Sequence, residues 1–156
     1  MPRAGLFPQP HGLPDPERDP QFYDGVPARR LMAWLFDIAL GAAITLALLV
    51  LLALPTLGMV ILAALPLWAI VDLGLRVWTI GTGSATFGMR IMGIELRGPG
   101  GDRLEWSEAL IHTLFYALCM AFLPAQLVSV LMMLGTARRQ GLPDLALGTA
   151  MINRPL

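Results

Sequence analysis

Long apolar runs alternate with short polar stretches along this chain, and the run lengths decide which solvent it folds in. Leu31–Leu54 is 24 residues with a single charge, Asp37. At a rise of about 1.5 Å per residue, a helix of that length covers a hydrocarbon core of about 30 Å with some tilt. Pro55-Thr56 breaks the pattern and Leu57–Trp78 follows at once, so the two runs predict an antiparallel helical hairpin. Pro66 falls inside the second run and predicts a kink there. From Thr79 to Trp106 the character turns polar. Gly81-Thr82-Gly83-Ser84 reads as a breaker, Met89–Leu96 is strand-capable, and Gly98-Pro99-Gly100-Gly101-Asp102 is a strong turn signal. A short interfacial helix followed by a small hairpin fits this stretch. A third apolar region, about 107–137, starts at Ser107 as N-cap and is divided by Pro124. It is long for one straight span and short for two.

Composition sharpens that picture. Hydrophobic residues make up 56% of the chain and charged ones 14%, against about 25% charged in soluble domains. The expected fold class is therefore all-α: a polytopic transmembrane helical bundle of three to four membrane helices with a small cytoplasmic loop or hairpin. Acidic and basic residues balance at eleven each, which argues against a nucleic-acid partner. Seven of the thirteen prolines lie in residues 1–27, which predicts a disordered Pro-rich tail ahead of a membrane domain over 28–154. The first apolar run is too long for a signal-peptide core and reads as a retained anchor.

Arginine supplies every basic side chain, with four before the first span, four from Arg76 to Arg103, three after residue 137, and none at the Pro55 turn. The positive-inside rule then places the tail, the central loop and the C-terminus in the cytoplasm. That arrangement needs an even number of crossings after the loop, so the third region is expected to be a hairpin broken at Pro124. A single third span with the C-terminus outside is the rival.

Chemistry-bearing residues concentrate near one depth. Arg30 and Asp37 are seven apart and project from one side of the first span, with Trp34 between them and able to support the Arg30 guanidinium from its face. Asp37 and Asp72 each lie about 10 Å inside their helices by rise per residue, with Arg76 one turn beyond Asp72. Ionisable groups at such depth must face protein, water or a counter-charge. Two readings stand: an ion or proton site, or buried ion pairs that fix helix orientation. Glu108, His112 and Tyr116, followed by Cys119, recur at helical spacing and form a polar face on the third region, on which His112 could bond Glu108. One cysteine and two distant histidines offer no disulfide and no metal-ligand spacing, so neither a metal nor a cofactor is expected. No Ser-His-Asp or G-x-S-x-G pattern is present, and no enzymatic activity is expected. Gly81-x-Gly-x-x-x-x-Gly88 lacks the Lys-Ser/Thr ending of a phosphate loop and reads as a flexible turn.

Three segments together resemble the RDD family of bacterial membrane proteins, which takes its name from one Arg and two Asp. They are Pro27-Ala-Arg-Arg-Leu-Met-Ala-Trp-Leu-Phe-Asp37, Thr86-Phe-Gly-Met-Arg90-Ile-Met-Gly93-Ile-Glu-Leu96, and Arg138-Arg-Gln-Gly-Leu-Pro-Asp144-Leu-Ala-Leu-Gly-Thr149. The resemblance implies Arg30, Asp37 and Asp144 as the signature residues. Met89 stands where a Lys is usual and Pro143 where a His is common; Asp72 and Arg76 lie outside the signature. It further implies a multi-pass protein of the bacterial inner membrane. Transport of cations, protons or a small ligand through an Arg/Asp cluster is one expectation. The other is a non-catalytic accessory or assembly subunit, in a homo-oligomer or a larger membrane complex.

Overall fold

The computed structural model describes residues 11–154. Helix α1, Val26–Ala53, starts after Gly25, whose left-handed φ of 69° turns the chain into the helix, and carries Pro27 in its first turn, where no N–H is needed. Its 28 residues extend about 42 Å, more than a bilayer core requires. Gly58, with φ 80°, donates its N–H to the Ala53 carbonyl at 2.7 Å and closes the turn. A 3-10 segment, Met59–Ala63, leads into α2, Ala64–Gly83. The kink expected at Pro66 is absent from mid-helix, because Pro66 falls in the first turn of α2, where its missing donor costs nothing. Together Met59–Gly83 makes a second apolar stretch of membrane length.

The expected breaker at Gly81–Ser84 is instead the last turn of α2, ended by Ser84 in the left-handed region. Gly81 is needed for packing: a Cβ there would sit 2.7 Å from the Trp106 indole. Thr86 caps α3, Phe87–Ile91, by accepting from the Met89 N–H at 3.2 Å, while the Thr86 N–H donates to Met89 Sδ at 3.3 Å. Strand β1, Ile94–Arg97, follows. The turn at Gly98–Asp102 forms, with Gly101 N donating to Gly98 O, but its hairpin amounts to one bridge, Arg97 to Arg103. The main partner of β1 is β2, Ala150–Asn153, antiparallel with Ile94 opposite Asn153 and Arg97 opposite Ala150.

Helix α4, Trp106–Ala121, and helix α5, Leu123–Gly135, meet at a bend of 115° beside Pro124. Helix α6, Leu142–Leu147, then packs against both. The pair therefore leaves one end of the bundle and returns to it, since α4 begins beside Gly81 and the Arg139 carbonyl after α5 accepts from Arg30 at 3.4 Å. Two helices long and apolar enough to cross a membrane are thus joined by a bent third region.

The two-stranded sheet, α3 and α6 form a cap over that end of the bundle, cored by Val26, Ile80, Ile94, Leu96 and Met151. The disordered tail expected over 1–27 differs from the structure from residue 11 onward. His11 and Gly12 donate to the Pro99 carbonyl, Tyr23 Oη donates to Pro14 O at 2.9 Å, and Leu13 and Tyr23 bury against Ala150 and Ile152. Prolines rule out a long α-helix there but not a strap of turns with one 3-10 turn at Pro20–Phe22, and the strap's apolar residues have a surface to cover. Residues 1–10 of the expected tail lie outside the described residues.

Candidate functional site

Arg30 and Asp37 share a face of α1 but do not pair with each other. Each instead fastens a different short helix of the cap to the bundle. Asp37 Oδ2 accepts from Thr86 Oγ1 at 2.6 Å and Oδ1 from Gly88 N at 2.7 Å, so this carboxylate caps the start of α3. Gly88 permits the approach, because a Cβ there would run into the Ala33 carbonyl. Arg76 Nη2 lies 3.8 Å from Asp37 Oδ2, beyond hydrogen-bonding distance.

Arg30 Nη1 donates to Asp144 Oδ2 at 2.6 Å, and His112 Nε2 lies 2.9 Å from Asp144 Oδ1. Gly141 N, at 3.0 Å, and Thr149 Oγ1, at 3.5 Å, complete the shell of donors. Asp144 is fully buried. Burial alone would push its carboxyl up, but Arg30 and His112 outweigh that and hold it well below the ordinary carboxylate range. His112 Nδ1 is buried without a partner.

The other predicted residues sort themselves around these two clasps. Asp72 is half buried opposite Gly41, where a Cβ would lie 3.6 Å from its Oδ1. Asp37, Asp72, Arg76, Thr79 and Thr86, with Leu40, Leu75 and Phe87, line a small void of about 20 Å³, enough for one water. Tyr116 is the ring beneath a guanidinium, but the guanidinium is that of Arg76, 4.1 Å from its centroid. Trp34 does not support Arg30; its Nε1 donates to Tyr116 Oη at 2.9 Å. The polar face of α4 is likewise divided. Glu108 Oε2 accepts from the Glu105 N–H at the helix start, at 2.9 Å, His112 joins Asp144, and Tyr116 joins Arg76. Sequence reasoning had no signal for the donor roles of Thr86 and Gly88, which lie about 50 residues from Asp37. It also missed Ser129, whose Oγ accepts from Leu142 N at 3.0 Å and ties α5 to α6.

Beside the clasps lies a cleft of about 800 Å³. Arg30, Trp34, Asp37, Arg76, His112 and Tyr116 line it, together with Gln126, Ser129, Arg139 and apolar side chains of α1, α4 and α5. Helices α1 and α5 are not among the pairs that pack extensively, which leaves the cleft open on that side. Among the described residues no three His, Cys, Asp or Glu side chains converge as metal ligands would.

No curated protein and no solved structure matches the chain. The model of the RDD family matches residues 25–148, which span α1 to α6 and contain Arg30, Asp37 and Asp144. By that match over most of its length, the chain belongs to the RDD family of membrane proteins.

Proposed function

We propose that this protein is a small-ligand transport module of a bacterial inner membrane, and that the ligand binds in the cleft between α1, α4 and α5. The cleft carries the proposal: about 800 Å³ is the size of a pocket that buries a small organic molecule, and its lining sets a few polar and charged groups among apolar ones. The carboxylates favour a ligand other than a travelling proton or cation. Both oxygens of Asp37 and of Asp144 already accept hydrogen bonds from the protein. The capped end carries Arg29, Arg90, Arg97, Arg103, Arg138 and Arg139 while the far turns carry no Arg, which supports a cytoplasmic cap.

Purification in mild detergent followed by mass spectrometry of the intact assembly tests the reading. The expected result is a bound small molecule on the wild-type protein that is reduced on Val130→Phe, which narrows the cleft from α5. A stoichiometric larger protein partner with an empty cleft overturns it in favour of an accessory subunit.

A further inference from the structure

Arg76 is a buried charge with incomplete hydrogen bonding. It is nine-tenths buried, its Nε has no acceptor, and its nearest carboxylate oxygen, 3.8 Å away, already accepts from Thr86. A guanidinium has five N–H donors, and leaving them unmet away from water is costly. Arg76 faces the cleft together with Arg30 and Arg139, and among these lining residues Asp37 is the only acid. Asp144 and Asp72 balance the charge from behind this surface, outside the cleft. The missing partner on the cleft side is therefore an acceptor. Most of the rest of the lining is of another kind: Leu31, Met120, Val130, Met133 and Leu134 make an apolar corridor between α1, α4 and α5, in which Gln126 and Ser129 are also set. Leu31, Val130 and Leu134 are themselves exposed, so the corridor opens onto the apolar surface of α1 and α5.

Resting on the ligand-cleft reading above, we infer that the cleft takes an anionic amphiphile from the bilayer, with its phosphate or carboxylate head on Arg76 and its acyl chain between α1 and α5. A charged head alone would leave the corridor empty, and a hydrocarbon alone would leave Arg76 unpaired. An oxyanion meets a guanidinium through charge-assisted, often bidentate hydrogen bonds, which the ring of Tyr116 beneath Arg76 leaves free at the guanidinium edge.

Trp34 lines the cleft and serves as the reporter, whereas Trp78 is exposed on α2 and samples the surrounding lipid. Two single-tryptophan proteins are needed, each with the other three Trp residues changed to Phe. In phosphatidylcholine nanodiscs, bromine-labelled phosphatidylglycerol is expected to quench Trp34 beyond the Trp78 reference, and bromine-labelled phosphatidylcholine is not. Arg76→Gln should weaken that preference about tenfold, the worth of one charge-assisted hydrogen bond. Arg76→Lys, which keeps the charge but loses the fork, should fall between and serves if the Gln variant does not fold. Val130→Phe should lower the excess quenching of Trp34 and leave Trp78 unchanged. Equal excess quenching by both lipids overturns the anionic head and leaves the ligand cleft standing. Relief by inorganic phosphate shows a head-only site and overturns the amphiphile. No excess with either lipid overturns the amphiphile too, while a small molecule co-purifying in a Val130-dependent way would still uphold the cleft.

Discussion

The two signature carboxylates sit on the same bundle end and do opposite things with their surroundings. Asp144 is sealed: its side chain is 0% exposed and donors from α1, α4 and its own loop fill both oxygens. Asp37 is 10% exposed, accepts two short hydrogen bonds from the start of α3, and holds its arginine only at 3.8 Å. Asp144 thus acts as a closed clasp joining α6 to α1 and α4. Asp37 clasps α3 with the same economy but leaves Arg76 facing the cleft. The contrast teaches where to look for binding: Arg76 is left unfilled, and the two signature acids serve as anchors.

The largest expected effect comes from opening the sealed clasp. Asp144→Asn strands the Arg30 guanidinium in a buried site, a loss on the order of 3–5 kcal/mol for breaking a buried pair. Thermal unfolding in detergent should show it, and Arg30→Gln combined with Asp144→Asn should recover part of the loss. Recovery with Asp37→Asn in place of Asp144→Asn would show that Arg30 pairs with Asp37 instead. Acid titration sharpens the same point. A carboxyl held below its ordinary range in the folded state stabilises fully above its unfolded pKa of about 4, and that stability drains away as pH falls through the folded value. Wild-type protein should therefore lose stability more steeply below about pH 4 than Asp144→Asn does.

Asp37→Asn should cost less, about 1–3 kcal/mol, because the amide oxygen still accepts one of the two hydrogen bonds. The loss should be local, read as faster hydrogen exchange over residues 86–91 with the β1–β2 amides unchanged. Gly88→Ala tests the same joint from the other side. Its Cβ would press on the Ala33 carbonyl, so α3 must shift, at about 1–3 kcal/mol. If exchange over 86–91 stays at the wild-type rate in both variants, Asp37 does not anchor α3.

The membrane helices were legible because run length and polarity respond directly to bilayer thickness. Leu31–Leu54 and Leu57–Trp78 announce α1 and α2, with ends displaced by up to about seven residues, and Pro124 marks the bend. Proximity was legible too: Asp37, Asp72 and Arg76 do gather around one small void. Pairing was not. Rise per residue places Arg30 near Asp37, but whether a guanidinium turns to a residue seven positions away or 114 away depends on how α6 folds back. Local sequence carries no record of that. The same holds for β1, whose adjacent turn signal suggested a local hairpin while its partner lies at Ala150–Asn153. The strap at residues 11–24 was hidden for a different reason. Proline density reports what a segment cannot do, and Tyr23 and Leu13 have a place to bury only once β2 is in position.

The smallest expected effect separates the two uses of Tyr116. Its hydroxyl accepts from Trp34 Nε1 at 2.9 Å, and its ring lies under the Arg76 guanidinium at 4.1 Å. Tyr116→Phe removes the hydroxyl and keeps the ring, so it should cost about 0.5–1.5 kcal/mol, the net worth of one hydrogen bond. Tyr116→Leu removes both and should cost about 1–2 kcal/mol more, since a partly desolvated cation loses the face of the ring. Both differences are measurable as thermal shifts in the same detergent. The order carries the meaning. If Phe and Leu destabilise equally, the ring does nothing for Arg76, and the guanidinium is left with Asp37, 3.8 Å away, as its nearest counter-charge within the protein. If Leu is worse, the ring supports Arg76 from below, and its hydrogen-bonding edge is left for whatever enters the cleft.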